Sequence, residues 1–263
     1  MTILQEIVKN KRKEVLKQKQ LFPYNYLEKS TFFKNKNNSL VKMLKKSKSG
    51  IIAEHKRSSP SKKVINNNVS INRAIEGYDK AGVSGISILT DQKFFSGSLK
   101  DLQESRSLTR LPILRKDFII DIYQIVEAKA SGADVILLIA AILSKKEIMV
   151  FSDFAKRLNL EVLLEIHNIK ELKKSLFPSI DIIGVNNRDL KTFEVDIDIS
   201  KKLADQIPKD FIKISESGIN KPSSVIELQK YGYKGFLVGE NFMKTNDPGK
   251  SANKFIKKIE NEN

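Results

Sequence analysis

No cysteine occurs in the 263 residues, so disulfide bonds and thiolate metal sites are excluded. Only two histidines are present, His55 and His167, too few for most histidine-based metal sites. No apolar run approaches the roughly 20 residues of a membrane-spanning helix. The N-terminal stretch MTILQEIVKNKRKEV is amphipathic and charged and lacks the apolar core of a signal peptide. A soluble cytoplasmic protein is therefore expected. Arg-rich tracts and basic stripes interleaved with aromatics are also missing. That bears on the net charge of +16, which by itself can mark a nucleic-acid partner. Here the lysines are spread over the whole chain, and abundant Lys, Asn and Ile fit a biased base composition. The expectation is no nucleic acid and no membrane. An anionic small substrate is compatible with the charge without being required by it.

What is present is a rhythm. Residues 1–46 stand apart: Ile3, Ile7 and Val15 fall near helical spacing, the stretch around Pro23 is irregular, and SLVKMLKKSK reads as a second short helix. Eight short apolar runs then recur: GIIAEHK, SGISILT, LPILRKD, DVILLIA, LEVLLEI, DIIGVNN, FIKISES and GFLVGE. Near-continuous runs of this kind suit parallel strands covered on both faces. Amphipathic segments such as SINRAIEGYDKAG and KPSSVIELQKYGYKG lie between them, and several end in glycine, at Gly82, Gly132 and Gly232. No Gly-rich fingerprint follows the first run, which argues against an open doubly wound sheet. The pattern predicts an α/β chain: a (β/α)8 TIM barrel over 47–263 in a single domain of 1–263.

In such a barrel the site lies at the C-terminal ends of the strands. Side chains two apart on a strand share a face, so the face that carries Ile52 also carries Glu54 and Lys56. Lys116 ends the third run, Glu165 the fifth, Asn186 and Arg188 the sixth, Glu216, Ser217 and Gly218 the seventh, and Gly239 and Glu240 the eighth. Polar and charged groups thus arrive at one rim from six strands. Any one of them alone reads as a surface charge or a strand-end ion pair; the convergence reads as a site. Glycines after strands seven and eight suit a phosphate held on backbone N–H groups, and Ser59 can add a hydroxyl. Lysines with carboxylates and no metal ligands suggest general acid–base chemistry, with a Schiff-base lysine as the alternative. His55 alternates away from Glu54, and His167 lies past Glu165; both read as packing or supporting residues.

These stretches carry a resemblance. IIAEHKRSSPSK, LTDQKFFSGSLKDL, RKDFIID, GVNNRDLKTFEVD, ISESGI and GFLVGENFMKTNDPG together resemble indole-3-glycerol-phosphate synthase from end to end. The resemblance implies a substrate, 1-(2-carboxyphenylamino)-1-deoxyribulose 5-phosphate, and a reaction that closes a ring and loses CO2 and water. It implies no cofactor and no metal, and an N-terminal helical extension over the catalytic rim. It implies Lys116 as general acid, assisted by Glu165, with Glu54 and Lys56 serving dehydration and anion binding. Asn186 and Ser217 would orient the substrate, with Arg188 and Glu216 nearby. Ser59, Gly218, Gly239 and Glu240 would hold the phosphate. A monomer is expected. Lys63 stands where the family commonly has glycine after SPSK. Two alternatives keep the same fold: a phosphoribosylanthranilate isomerase-like enzyme, whose thiol a Cys-free chain cannot supply, and a non-catalytic anion-binding barrel, which should have lost Lys116 or Glu165.

Overall fold

The computed structural model of the protein describes residues 2–262. Three helices come first: α1 (Ile3–Leu21), α2 (Tyr24–Leu27) and α3 (Leu40–Lys46). Strands and helices then alternate: β1 (Ile51–His55), α4 (Ile71–Lys80), β2 (Gly85–Leu89), α5 (Gln92–Phe95), α6 (Leu99–Leu108), β3 (Ile113–Lys116), α7 (Ile122–Ala130), β4 (Val135–Ile139) and α8 (Lys145–Arg157). The second half continues with β5 (Glu161–Ile166), α9 (Ile169–Lys173), β6 (Ile182–Asn186), α10 (Asp198–Ala204), β7 (Ile212–Glu216), α11 (Pro222–Lys230), β8 (Gly235–Val238), α12 (Glu240–Met243) and α13 (Pro248–Glu262). All eight strands pair in parallel in sequence order, and β8 closes on β1. All eight expected strands form. Gly82, Gly132 and Gly232 adopt positive φ where α4, α7 and α11 end, a conformation that costs glycine little.

The two strand faces divide the apolar residues into separate clusters. Ile51, Ala53, Ile86, Ile88, Ile136 and Leu138 point outward and pack under the surrounding helices. Ile52, Leu114, Leu163 and Ile214 point inward, one from each odd-numbered strand, and fill the lower barrel with Val135, Leu137, Ile182 and Leu237. This is the alternate-strand layering of a closed (β/α)8 barrel.

The N-terminal extension reaches both ends of the barrel. Its expected rim position holds for the start of α1, where Ile3, Leu4 and Ile7 face the open end. From there the chain runs beside α7. Lys19 pairs with Asp121 at 2.7 Å, the Tyr123 hydroxyl donates to the carbonyls of Gln18 and Phe22, and Ser30 donates to the carbonyl of Ala130. At the far end, α3 plugs the bottom. Leu40 and Leu44 belong to the inner barrel cluster. They fit because β2 and β8 begin with Gly85 and Gly235, where an added Cβ would meet Leu40 Cδ1 at 2.7 Å and Leu44 Cδ1 at 3.2 Å. Glu161, the first residue of β5, caps α3 by accepting from the backbone N–H groups of Leu40 at 2.8 Å and Val41 at 3.1 Å.

Leu44→Ala should therefore lower the unfolding free energy by about 2–5 kcal/mol, as a large core truncation does, measured by urea unfolding followed by circular dichroism. Leu16→Ala, at an exposed position of α1, should stay within ~0.5 kcal/mol of the parent. A loss below ~1 kcal/mol for Leu44→Ala would remove α3 from the core.

Candidate active site

Two positions after the apolar residues Ile52, Leu114, Leu163 and Ile214, the same four strands carry Glu54, Lys116, Glu165 and Glu216. Strand periodicity keeps both sets on the inner face. The upper layer of the barrel interior is thus built from charge. The Lys116 Nζ lies 3.1 Å from Glu165 Oε2 and 2.5 Å from Glu216 Oε2. Space for this cluster comes from β6: a Cβ at Gly184 would collide with the Glu216 carboxylate.

The three groups do not titrate alike. Burial alone would depress the Lys116 ammonium, but Glu216, Glu165 and Glu54 outweigh that and hold it well above the ordinary lysine range. Burial would raise Glu165, yet Lys116, His167 and the Asn186 amide hold it below the usual carboxylate range. Glu216 is pushed up to about 7: burial is the largest cause, and the Glu165 and Glu54 charges add to it against the pull of Lys116. Two carboxylates on one cation are therefore driven apart, one ionised and one able to carry a proton near neutrality. Such a split marks acid–base capability.

Supporting contacts fix the cluster. His167 Nε2 is 3.6 Å from Glu165 Oε1, and its Nδ1 is 3.1 Å from Glu171. Burial would lower the His167 pKa, but Glu171 and Glu165 raise it overall. The Asn186 side-chain oxygen accepts from the Arg188 N–H at 3.0 Å, and the Arg188 guanidinium donates to the Phe193 carbonyl at 2.8 Å. Glu54 and Lys56 form their own pair at 2.5 Å. His55 points outward, where burial and the Arg57 charge push it down to about 4.

All twelve residues expected from the sequence line one cavity. Ser59, Gly218, Gly239 and Glu240 are part of the same lining. Ser217 and Gly218 both have positive φ, 65° and 80°. For serine this is a strained conformation, held by Asn187, whose amide donates to the Ser217 carbonyl at 3.1 Å and to Ser215 Oγ at 2.9 Å. Gly239 has a different reason to be glycine from the close phosphate approach expected: a Cβ there would occupy the place of the Glu54 carboxylate. The Glu240 carboxylate pairs with Lys62 at 2.9 Å. The sequence did not reveal the apolar wall. Ile3, Leu4 and Ile7 of α1, Phe95 and Phe118 line the same cavity, and the Phe95 and Phe118 rings lie 6.0 Å apart. The FF pair in DQKFFSG and the Phe in RKDF were the available signals. Among the described residues no group of three His, Cys, Asp or Glu side chains is placed to hold a metal ion.

Comparison with known proteins bears on this geometry. The family model for indole-3-glycerol phosphate synthase matches residues 4–255. A protein of that name from Bacteroides thetaiotaomicron is 47% identical over 258 residues, covering 98% of this chain and 99% of its own. Its namesake from Caldanaerobacter subterraneus subsp. tengcongensis is 46% identical over 259 residues, covering 98% of each chain. Among solved structures, 3-hexulose-6-phosphate synthase from Salmonella typhimurium superposes with a TM-score of 0.65 at 12% identity, over 81% of this chain and all of its own. A tryptophan synthase complex from Pyrococcus furiosus gives a TM-score of 0.60 at 16% identity, over 81% of this chain and 98% of its own. At such identities the likeness is one of fold.

The split between the two glutamates can be read directly. In a carboxyl-carbon NMR titration, Glu216 should deprotonate near pH 7 and Glu165 below the ordinary glutamate range. Lys116→Met should move both upward, because both lose their cation. A Glu216 signal that titrates with the exposed glutamates would overturn the assignment.

Proposed function

The chain belongs to the indole-3-glycerol phosphate synthase family, and on that premise we propose how its rim carries out the reaction. The substrate is 1-(2-carboxyphenylamino)-1-deoxyribulose 5-phosphate. Ring closure, loss of CO2 and loss of water convert it to indole-3-glycerol phosphate, a step of tryptophan biosynthesis. The observation that carries the assignment of roles is Lys116 held between one ionised and one protonatable glutamate.

In the first step the ring carbon that bears the carboxylate attacks the ketose carbonyl. Charge develops on the carbonyl oxygen, and Lys116 is the cation placed to meet it. Its raised pKa keeps it charged before substrate arrives, and substrate entry displaces one of its carboxylate partners. Lys116 then gives its proton to that oxygen, which becomes a hydroxyl. The carbon–carboxylate bond breaks next; its electron pair returns to the ring and CO2 leaves. Dehydration needs a proton on the departing hydroxyl and a base for the adjacent C–H. Glu165, paired with Lys116, assists proton transfer, while Glu54 and Lys56, a second acid–ammonium pair in the same cavity, serve the dehydration. Lys56 also offers charge to the substrate carboxylate. Asn186 and Ser217 orient the substrate, and Arg188 and Glu216 border it. The phosphate lies among Ser59 and the backbone of Gly218, Gly239 and Glu240. The Glu240 carboxylate, tied to Lys62, is not an anion ligand; its N–H is. No metal or organic cofactor enters the scheme. We propose a cytoplasmic protein that acts on a small phosphorylated substrate and binds no nucleic acid, and a monomer, since one chain supplies every residue lining the cavity.

Lys116→Ala should reduce kcat by about 10²–10⁴-fold with an unchanged circular dichroism spectrum, followed by the fluorescence of the indole product. Glu165→Gln should lower kcat more than it raises KM. A folded Lys116→Ala variant within a few-fold of the parent would sink the assignment. Sulfate soaked into crystals should bind at Ser59 Oγ and the amides of Gly218, Gly239 and Glu240. Finding it only elsewhere would refute the phosphate site.

A further inference from the structure

Lys11 is 1% exposed on a helix whose neighbouring cations, Lys9, Arg12 and Lys13, face solvent. It does not line the cavity and has no part in the chemistry above. Its ammonium lies 2.9 Å from Asp91, 2.9 Å from Asp117 and 3.0 Å from Glu14. Asp91 and Asp117 are both buried. Among the described residues, Lys11 is the one cation paired with Asp91. Burial would depress the Lys11 ammonium, but these carboxylates hold it above the ordinary lysine range.

Each partner holds a different part of the cavity's apolar wall. Asp91 caps α5 by accepting from the Phe94 N–H at 2.8 Å, and α5 presents Phe95. Asp117 directly follows Lys116 and accepts from the Phe118 N–H at 2.8 Å. Its second oxygen accepts from Thr90 at 2.6 Å and from Arg115 at 3.1 Å, and Arg115 is itself held by Glu127 at 2.7 Å. On α1, Ile7, Leu4 and Ile3 lie one and two turns before Lys11 on the same face and reach the cavity. One ammonium therefore joins three chain segments: α1, the loop after β2 and the loop after β3. A bare apolar contact would let α1 slide. Two carboxylates converging on one point fix its register, because displacement leaves buried charge unpaired.

We propose that Lys11 is a positioning residue that assembles the apolar wall against which the aromatic ring of the substrate lies. This rests on the functional reading above. A merely structural role would lower the folded fraction and hence the apparent kcat, but KM does not depend on how much of the enzyme is active. Lys11→Met, which keeps the length and removes the charge, should raise KM by about tenfold, equivalent to about 1.4 kcal/mol of lost ring binding. The double variant Lys11→Met/Asp91→Asn should regain melting temperature, since no carboxylate is stranded at position 91 and Asn remains a good N-cap. Its KM should nevertheless stay raised, because the clip is gone. If Lys11→Met fails to fold, the double variant decides by the same criterion. A KM within twofold of the parent, in a parent that makes product, overturns this inference alone. A parent without turnover overturns the functional reading and this inference with it.

Discussion

One buried ammonium organises the upper half of this protein. Taking a lone lysine out of water costs several kcal/mol even after relaxation. Lys116 persists as a cation because Glu165 reaches it from two strands away and Glu216 from the strand directly across the ring. Breaking such a pair typically costs ~3–5 kcal/mol, since the remaining charges are stranded. Closure of the barrel is what allows it: β3, β5 and β7 belong to one alternate-strand layer, so their inward side chains meet at the axis. Gly184 then follows as a spatial requirement of Glu216, and His167 and Asn186 as the groups that keep Glu165 ionised. The boundary between stability and function falls within a single strand. Leu114 and Lys116 are two residues apart on one face of β3, the first in the apolar core and the second at the centre of the charged cluster to which the proposed chemistry is assigned.

The period of two made much of this legible beforehand. Glu54 and Lys56 beyond Ile52, Glu165 at the end of LEVLLEI and Lys116 at the end of PILRKD could be read as inward-facing because strand parity is a local property. What parity could not supply was distance across the ring. Glu216 reads from sequence as one of three residues in ESG, near the site; its 2.5 Å bond to Lys116 depends on the barrel's closure and on a glycine in another strand. Gly239 is a similar case. Its position after β8 was legible, but the carboxylate that requires a glycine there comes from β1.

Lys11 was hidden for a related reason. In NKRKEV it is one basic residue among several on an amphipathic helix, and a solvated face is the ordinary reading. Its burial depends on Asp91 and Asp117, far along the chain, converging beneath it. Other lysines also serve inward. Lys174 donates to the carbonyls of Ala140 and Leu143, and Lys213 to those of Ala204 and Tyr231 at the ends of α10 and α11. Carbonyls at loop and helix ends need donors, and a long flexible ammonium can reach two at once. Part of the positive surplus is therefore spent inside the fold, which weakens any inference from net charge to an external partner.

The N-terminal extension joins these two kinds of constraint. At the bottom, the leucines of α3 fill a space that a narrow ring of strands with glycines at β2 and β8 cannot fill itself. At the rim, α1 adds apolar side chains to those of Leu89, Ile139 and Val238, because the ends of β1, β3, β5 and β7 are committed to charge. The same segment thus compensates for opposite deficits at the two ends of one barrel. It is tied down at the bottom by Glu161, along the flank by Asp121 and Tyr123, and near the rim by Lys11. Docking of α3 alone would leave α1 free to wander. The buried ion cluster near the rim sets its position there, so the geometry of the apolar wall is governed by electrostatics that never touch the substrate.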